Sequence, residues 1–590
     1  MEVGECCKFW IVLLSIVSSL LVAVVSGSNN LPDDPRVLED LFPLTLVHIN
    51  DFHARFEETN LKSINCTDVD RGNHRCVAGL ARVYTIIKRL LHRHNDKNAI
   101  YLNAGDNFQG SLWYNLLRWE VMAEFMKKLK PTAMTLGNHE FDHGSKGLAP
   151  YLKELNGVGI PTLVANLQLN GEERLENSNI RKSLVLEIGS KKVGIIGVLY
   201  DKTHIIVHTG KVTFRDAADA VREEALHLHR MGIDKIVVLS HCGLEDDKRI
   251  AADAGEHIDV IVGAHSHSFL RSPDSNAPYD NATDVIVGDY PLVVNSKDNG
   301  KAIPIVQAMA FGKYVGRLTV YFDNDGNLKY WEGFPVYING SVHQDEQIVH
   351  DMQPWREKLW KLGSTVVSET RVRLNREPCR KVECTLGSVA ADAYASAWTN
   401  ETFRPSAFIQ AGNFRNPIPI GPITNGLIIE AIPYSSTVDL LKLSGQNIWD
   451  MFEHSYTWDD ENRTNCLQVS GFKVRIDPSK PFYNRVVTIE VRNHSNIEEK
   501  MYSPLNLNDE YFVVAPSYLA DAKDGFVWAG NASSRKGGPL DADVLTDYVA
   551  KLKVIEGVKM GRVQICGVNW DCVHDGEVLL RDDGISTGKL

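Results

Sequence analysis

Short apolar segments that each run into polar residues recur through the first half of the chain. Six of them follow one another: LTLVHIND (44–51), AIYLNAGD (99–106), TAMTLGNH (132–139), PTLVANL (161–167), KIVVLSHC (235–242) and VIVGAHSH (260–267). Stretches with helical spacing of apolar residues lie between them, at 78–94, 113–129 and 216–232. Such alternation of strands and helices predicts an α/β sandwich with a largely buried sheet.

Polar side chains mark the ends of these predicted strands. The residues at the C-terminal ends are Asp51, Asp106, Asn138, His241 and His265. Binding sites assemble at this edge of an α/β sheet, because the chain leaves the core there with its side chains free. Asp51 and His53 alternate along the first strand, so they should point to one side and share a metal. Mixed nitrogen and oxygen ligands suit Zn²⁺, Mn²⁺, Mg²⁺ or Ca²⁺ rather than copper or an iron–sulfur cluster.

The segment TLGNHEFDHG (135–144) is the densest of these polar clusters. A polar surface turn is the simplest interpretation, since Asn and Asp often bond their own backbone in turns. Two imidazoles, two carboxylates and an amide exceed what a turn requires, however, and similar residues end several other predicted strands. We therefore favour a metal site. Glu140 and His143 fit a role as solvated or hydrogen-bonding turn residues better.

The length and charge of the chain limit its class. With 590 residues, the chain is too long for one core, and two to four domains are expected. The pattern predicts a first domain over 41–338, a charged connecting helix over 342–364 and a mixed second domain over 365–565. A net charge of −12 argues against a nucleic-acid-binding protein. An anionic substrate stays open, because divalent cations can reverse the sign locally.

Both ends of the chain bear on its compartment. Residues 1–28 resemble a secretory signal peptide, with Lys8 ahead of FWIVLLSIVSSLLVAVV (9–25) and small residues after it. An uncleaved signal-anchor helix is the alternative, because that run is near the lower limit for spanning a bilayer. Residues 566–590 form a polar tail without a lipid-anchor signal. We expect a secreted protein with no stable membrane anchor.

Cysteines and glycosylation sequons fit an extracellular protein. Three close cysteine pairs predict small-loop disulfides: Cys66/Cys76, Cys379/Cys384 and Cys566/Cys572. Cys242 and Cys466 are left over, and their pairing stays open. The sequons are at Asn65, Asn281, Asn339, Asn400, Asn462, Asn493 and Asn531.

The order of the polar motifs resembles a known family. D-x-H, G-D, G-N-H-E-x-D, a lone His and G-x-H-S-H follow one another as in calcineurin-like metallophosphoesterases. From about residue 42 to 565 the chain resembles the 5′-nucleotidase family. Four segments are similar to salivary apyrases of mosquitoes: LTLVHINDFHARFEETN, LNAGDNFQGSLWYNLLRW, IIGVLYDKTH and QAGNFRNPI. The resemblance implies an α/β-sandwich metallophosphoesterase domain joined by a helix to an α/β nucleotide-binding domain.

The resemblance also assigns roles to individual residues. The ligands of one metal match Asp51, His53, Asp106 and His267, and those of the other match Asp106, Asn138, His241 and His265, with Asp106 bridging. The position of His267 varies in the family among Gln, Asn and His. His139 and Asp142 match the catalytic dyad. Two metals can clamp a phosphoryl displacement, which His139 assists by bonding the transferring group.

The second domain should bind the nucleotide. The matching residues are Arg380 and Arg415 for phosphate, Tyr434 and Tyr518 for the base, and Asp524 for the ribose. Arginine forks suit phosphate oxygens. Typical family members carry other residues at Gln410, Asn413 and often Ser517. The resemblance places these differences in the nucleotide pocket, which puts hydrolysis of AMP in question.

The resemblance favours a secreted apyrase that hydrolyses ATP and ADP to AMP with two divalent metal ions per chain. Ca, Mg, Mn and Zn are candidates, and Ca is favoured by the resemblance. A salivary factor that suppresses platelet aggregation is then expected. The alternatives are a secreted 5′-nucleotidase, a broader nucleotide or UDP-sugar hydrolase, and a nucleotide- or receptor-binding protein. Whether the protein is a monomer or a dimer stays open.

Overall fold

The computed structural model describes residues 24–25, 30–64, 66–273, 275–457, 465–493 and 502–568. The predicted signal peptide, apart from 24–25, lies outside this range, as do Asn65, Asn462, Cys572 and the tail after 568. Within the described segments, no helix combines the length and the apolar character needed to cross a membrane.

Two large sheets form the first domain. In spatial order, one consists of Leu328–Tyr337, Tyr314–Phe322, Phe42–Ile49, Ile100–Asn103, Ala133–Thr135 and Thr162–Leu163. The other consists of Val24–Val25, Leu292–Asn295, Ala302–Val306, Val260–Val262, Ile236–His241, Lys191–Leu199 and Ser183–Ile188. Two small sheets pair Phe269–Leu270 with Ile286–Gly288, and Leu167–Gln168 with Thr213–Phe214. The predicted α/β sandwich is confirmed, and its strands are divided between two sheets.

Alternating side chains explain why both faces of the first sheet are buried. In the strand Phe42–Ile49, Leu44 and Leu46 belong to the core shared with the second sheet, whereas Val47 and Ile49 belong to the core shared with helices. The period of two residues in a strand sends successive side chains to opposite faces. An apolar run of this kind is what a sheet covered on both sides requires.

Helices cover the outer faces of the sheets. The longer ones are Leu80–Arg93, Leu112–Leu129, Gly144–Gly157, Ala217–Arg230 and Leu244–Ala254. Shorter ones are Asp68–Gly72, Glu173–Glu176 and Thr203–Ile206, and 3-10 turns occur at Pro35–Leu38, Asn95–Lys97 and Asn138–Phe141. Three of the long helices coincide within two residues with the stretches predicted at 78–94, 113–129 and 216–232. The Asp216 side chain caps one of them by accepting a hydrogen bond from the Asp219 N–H.

The predicted strands extend too far at their C-terminal ends. The first strand ends at Ile49, and the strand predicted over 132–139 ends at Thr135. Asp51 and His53 both have φ of 50°, which is left-handed rather than extended backbone. The expectation that they share one side of a strand by alternation is therefore wrong, because they lie in a turn after the strand.

A helix at Glu346–Gly363 connects the two halves, within the segment where the sequence predicts a connecting helix. The sheets of the second domain are Gly421–Thr424, Val366–Thr370 and Val554–Ile555; Leu467–Ser470, Ser406–Gln410, Glu510–Pro516, Val438–Ser444 and Ser534–Lys536; and Tyr502–Pro504, Val486–Arg492, Phe472–Ile476 and Val563–Ile565. Its helices are Thr385–Ala397, Asn425–Ala431, Gly445–Ser455, Ser517–Ala520 and Asp541–Leu552. Its 3-10 turns are Glu377–Arg380, Ala411–Asn413, Lys523–Gly525 and Ala529–Asn531.

Two of the predicted disulfides are present. Cys66 bonds Cys76 and Cys379 bonds Cys384. Cys242 and Cys466 are buried in the cores of different domains, so they do not pair with each other. Of the sequon asparagines within the described segments, Asn339 is half-buried, and Asn281, Asn400, Asn493 and Asn531 are exposed.

Candidate metal centre and nucleotide pocket

Two groups of metal-ligand side chains meet where the strands of the first domain end. One consists of Asp51, His53 and His267, and the other of Asp106, His241 and His265. Within each group, the candidate ligand atoms all lie within 4.8 Å of one another. The sequence predicts every member of both groups, and the fold brings them together from four separate segments of the chain.

The carboxylate of Asp106 lies between the two groups. Its Oδ2 is 3.9 Å from His53 Nε2 and 3.2 Å from His241 Nε2. Asp51 is also close to both, because its Oδ1 is 3.4 Å from His267 Nε2 and 3.9 Å from His241 Nε2. The nearest ring nitrogens of His53 and His267 are 3.1 Å apart. Such crowding of carboxylates and imidazoles is the arrangement that a pair of bound cations would stabilise.

Left-handed backbone conformations orient these side chains toward one another. Residues with left-handed φ include Asp51, His53, Asp106, His265 and His267. Each such non-glycine residue costs free energy, and they persist only where the surroundings fix them. Position 137 requires a glycine because the Asp106 side chain lies against its backbone, and a Cβ there would lie 2.0 Å from Asp106 Oδ1. Gly137 thereby places Asn138 beside the Asp106 loop.

The chemistry of the donors fits divalent cations. Asn138 Oδ1 is buried and has no hydrogen-bond partner among the residues that the structure describes. His241 Nε2 is also buried and faces the Asp106 carboxylate, 3.2 Å away. Burial lowers the pKa of His53 to about 3 and that of His265 to about 4, which keeps both imidazoles neutral and able to coordinate. Burial opposes charge on His241 as well, but the Asp106 carboxylate raises its pKa to about 9. The site therefore accommodates two divalent metals through nitrogen and oxygen ligands.

His139 and Asp142 form a pair beside this centre. The two Asp142 oxygens lie 3.0 and 3.1 Å from His139 Nδ1, and the His139 N–H donates to Asp106 Oδ1 at 2.9 Å. The rings of His139 and His53 are 5.3 Å apart. Burial opposes charge on His139, but Asp142 and Asp106 raise its pKa to about 10. The geometry leaves Nε2 of a protonated imidazole available to an anionic substrate.

Glu140 has a structural role that its position in the motif does not reveal. It is fully buried, and its carboxylate accepts hydrogen bonds from the N–H groups of Gly137 at 2.6 Å, Asp106 at 3.0 Å and Asn107 at 2.7 Å. It therefore ties the loop of Asp106 to the loop of Asn138 and His139. Of the two interpretations of Glu140, the hydrogen-bonding one is correct and the solvated one is wrong.

The candidate base-stacking tyrosines come to one edge of the second domain. Tyr434 precedes the strand Val438–Ser444 and Tyr518 follows its antiparallel neighbour Glu510–Pro516. The Ser517 N–H donates to the Thr437 carbonyl at 2.8 Å, which holds the two loops together. Tyr434 is 39% exposed and Tyr518 43%, so both side chains are partly open to solvent. The Tyr518 hydroxyl donates to Asp524 Oδ1 at 3.1 Å.

Arg415 lies beside Tyr434, and Arg380 and Arg376 lie near Arg415. The guanidinium of Arg415 lies 5.0 Å from the centre of the Tyr434 ring. Burial lowers the pKa of Arg415, and the charges of Arg380 and Arg376 lower it further. Sequence reasoning missed Arg376, although its spacing of four residues from Arg380 is visible in NREPCR. The charges of these three arginines are close enough to repel one another, and such a concentration of positive charge favours an anionic ligand.

Gln410 and Asn413 lie in the core rather than on an open pocket wall. Each is 2% exposed, and the Asn413 amide donates to the Tyr394 hydroxyl at 3.4 Å. The expectation that both line the nucleotide pocket is not supported by these contacts. Of the three positions that differ from typical family members, Ser517 is the one that contacts the loop of Tyr434. Its hydroxyl accepts a hydrogen bond from the Thr437 N–H at 3.1 Å.

Comparison with known proteins identifies the family. Residues 44–269 match the calcineurin-like phosphoesterase model, and residues 362–531 match the 5′-nucleotidase C-terminal domain model. An apyrase of Aedes aegypti is 58% identical over 94% of this chain and 97% of its own length. The chain belongs to the 5′-nucleotidase family. An apyrase of Aedes albopictus is 57% identical over 95% of this chain and 98% of its own length.

A solved structure of this family has the same two-domain fold. The 5′-nucleotidase precursor from Thermus thermophilus is 33% identical, with a TM-score of 0.58 over 89% of this chain and 100% of that one. The family and the metal-ligand groups together make this protein a metal-dependent nucleotide phosphohydrolase.

Proposed function

We propose that this member of the 5′-nucleotidase family is a secreted apyrase that hydrolyses ATP and ADP to AMP and phosphate. The observation that carries the proposal is the pair of metal-ligand groups around Asp106, with His139 and Asp142 beside it. The apyrases from two Aedes species support the choice within the family. On the basis of the resemblance, the proposal includes secretion into saliva, where removal of ADP would suppress platelet aggregation.

The ligand assignment follows the two groups. Asp51, His53, Asp106 and His267 would hold one cation, and Asp106, Asn138, His241 and His265 would hold the other. Divalent ions held there stabilise charge on phosphoryl oxygens and help to activate water. Ca²⁺ is favoured by the resemblance, and Mg²⁺, Mn²⁺ and Zn²⁺ are alternatives that the same donors accept.

The side chains of the dyad act on the phosphoryl group itself. Asp142 accepts a hydrogen bond from the His139 Nδ1–H, which fixes the ring orientation and stabilises the doubly protonated imidazolium, so that Nε2 also carries a proton. Nε2–H then donates to a phosphoryl oxygen as charge develops there, and can deliver its proton to the leaving oxygen. AMP or ADP leaves, and the imidazole recovers a proton from solvent.

The arginine cluster is expected to bind the phosphate chain. Changing Arg376 to Ala should raise KM for ADP by about tenfold, because a charge-assisted hydrogen bond to phosphate contributes about 1.5–3 kcal/mol. Steady-state kinetics with ADP measure this effect. Arg371→Ala is the matched control, since Arg371 forms an exposed ion pair with Glu556. Equal KM values for the two variants would exclude Arg376 from the phosphate site.

The tyrosines are expected to contribute binding rather than chemistry. Tyr434→Ala or Tyr518→Ala should raise KM by roughly tenfold with less effect on kcat, because stacking on the base is worth about 1–3 kcal/mol and is equal in ground and transition states. Tyr483→Ala, at a tyrosine that is 58% exposed, is the control. A fall in kcat at unchanged KM would contradict the stacking role.

Stacking also sets the expected specificity. Every base has a π-face, so other nucleoside di- and triphosphates should be hydrolysed within about tenfold of the adenine nucleotides. The alternatives are a secreted 5′-nucleotidase and a broader nucleotide or UDP-sugar hydrolase, which would use the same metal centre. The fate of AMP separates an apyrase from a 5′-nucleotidase.

Removal of the metals tests hydrolysis against pure nucleotide binding. Dialysis against EDTA should abolish phosphate release from ADP, and re-addition of Ca²⁺ or Mg²⁺ should restore it, because both ligand groups lie at the reacting centre. Calorimetric titration of ADP into the EDTA-treated protein measures the binding that the arginines and tyrosines retain. A protein that binds ADP and releases no phosphate with any divalent ion would be a binding protein instead.

A further inference from the structure

A small buried cluster joins the loop of the metal centre to the nucleotide pocket. The side-chain amide of Gln109 donates to the carbonyl of Tyr434 at 3.1 Å and to that of Ser435 at 2.5 Å. Asn115 Nδ2 donates to the Ser435 hydroxyl at 3.1 Å. Gln109 and Asn115 belong to the first domain, and Ser435 belongs to the second. All three side chains are buried.

This contact matters because its residues are close in sequence to the proposed functional residues of both domains. Gln109 lies three residues after Asp106, in the loop whose N–H groups bond Glu140. Ser435 directly follows the proposed base-stacking Tyr434. Ser435 also has a left-handed φ of 54°, a conformation that persists only where neighbouring groups fix it. Gln109 and Asn115 bond its carbonyl and its hydroxyl, so they determine where the Tyr434 backbone lies.

A second contact ties the loop of the dyad to the same domain. Arg118 donates to Asp543 Oδ1 at 2.6 Å and lies 2.6 Å from His143 Nε2. His143 follows Asp142, and Asp543 lies in the second-domain helix Asp541–Leu552. Arg118 interrupts the helix Leu112–Leu129, with φ of 55°. Each of the two loops that carry the chemistry is therefore bonded to the second domain a few residues beyond its functional side chain.

We propose that Gln109 is a positioning residue that sets the base-stacking Tyr434 at its working distance from the metal centre. The inference rests on the proposed function, since it takes Tyr434 to contact the base. This role requires the side-chain amide of Gln109, because its single NH₂ group donates to two carbonyl oxygens of the second domain. Alanine would leave both acceptors without this donor, and glutamate would place a carboxylate against them.

The test compares a nucleotide with a phosphoester that has no base. Gln109→Ala and Gln109→Glu should lower kcat/KM for ADP by at least about tenfold, the loss expected for a misplaced binding group. Hydrolysis of p-nitrophenyl phosphate should stay within about twofold of the unmodified protein, because it needs only the metal centre and the dyad. Gln446→Ala, at an exposed glutamine that bonds Asp450, is the matched control.

The outcomes separate a positioning role from a structural one. Equal losses with both substrates, or loss of bound metal by elemental analysis, would show that Gln109 supports the metal loop and would overturn the proposal. No loss with either substrate would also overturn it. If the unmodified protein hydrolyses AMP rather than ADP, the proposed apyrase function fails, and the same comparison run with AMP still decides the role of Gln109.

Discussion

Replacing Asp106 with alanine should lower kcat/KM for ADP by at least about a thousandfold, a loss of roughly 4 kcal/mol in transition-state stabilisation. Asp106 approaches His53 in one ligand group and His241 in the other, and it also accepts the His139 N–H. Its removal disturbs both cation sites and the backbone of the dyad at once. Steady-state kinetics with ADP, together with elemental analysis of bound metal, measure the effect.

Isosteric variants separate this effect from a loss of folding. Asp106→Asn keeps the shape of the side chain and should still lose metal and activity. Asp259→Asn changes another fully buried acid of the same domain, one that pairs with Lys301 away from the centre, and should retain metal and turnover. A loss of less than about tenfold in Asp106→Ala would mean that Asp106 does not bridge the two sites.

Replacing His139 with asparagine should lower kcat by about a hundredfold to a thousandfold while both metals stay bound. General acid–base groups contribute about 10²–10⁴-fold, and His139 contacts the centre through its backbone N–H, which asparagine keeps. Asp142→Asn should cost less, about tenfold, because it only orients the imidazole. Metal content is measured beside the rate. A His139→Asn variant that loses metal would place the imidazole among the ligands.

Much of the metal centre is predictable from the sequence because each ligand lies just after an apolar run. A strand buried on both faces shows as a continuous apolar segment, and the polar residues at its end are conspicuous. The conformation of those residues is not predictable in the same way. Asp51 and His53 do share a group, but through left-handed turns rather than strand alternation.

Glu140 and Gln109 act through contacts distant in the chain, which the local sequence does not reveal. Glu140 bonds N–H groups more than thirty residues away, at Asp106 and Asn107. Gln109 bonds a loop that is 325 residues further along. Nothing in the local pattern around either residue distinguishes it from an ordinary turn residue. Arg376 is a different case. Its spacing of four residues from Arg380 is visible in the sequence, but only its proximity to Arg415 in the fold indicates a role in binding phosphate.

The second domain was less predictable for a related reason. Its core combines elements from Leu374 to Ile565, and Tyr434 meets the loop of Tyr518 only through the pairing of two strands far apart in sequence. Pairing between strands that are far apart in sequence produces no periodic pattern of apolar residues within a short stretch of the chain. Its nucleotide residues were therefore assigned by resemblance, and the fold brings the two tyrosines to the same edge.

The most direct test of the central claim is a time course of products from ATP, followed by chromatography with the purified, metal-loaded protein. We predict that ADP appears and then declines, that AMP accumulates with two phosphates released per ATP, and that adenosine forms at less than about a tenth of the rate of ADP hydrolysis. Accumulation of adenosine at a rate comparable with ADP hydrolysis would contradict the apyrase assignment and make the protein a 5′-nucleotidase.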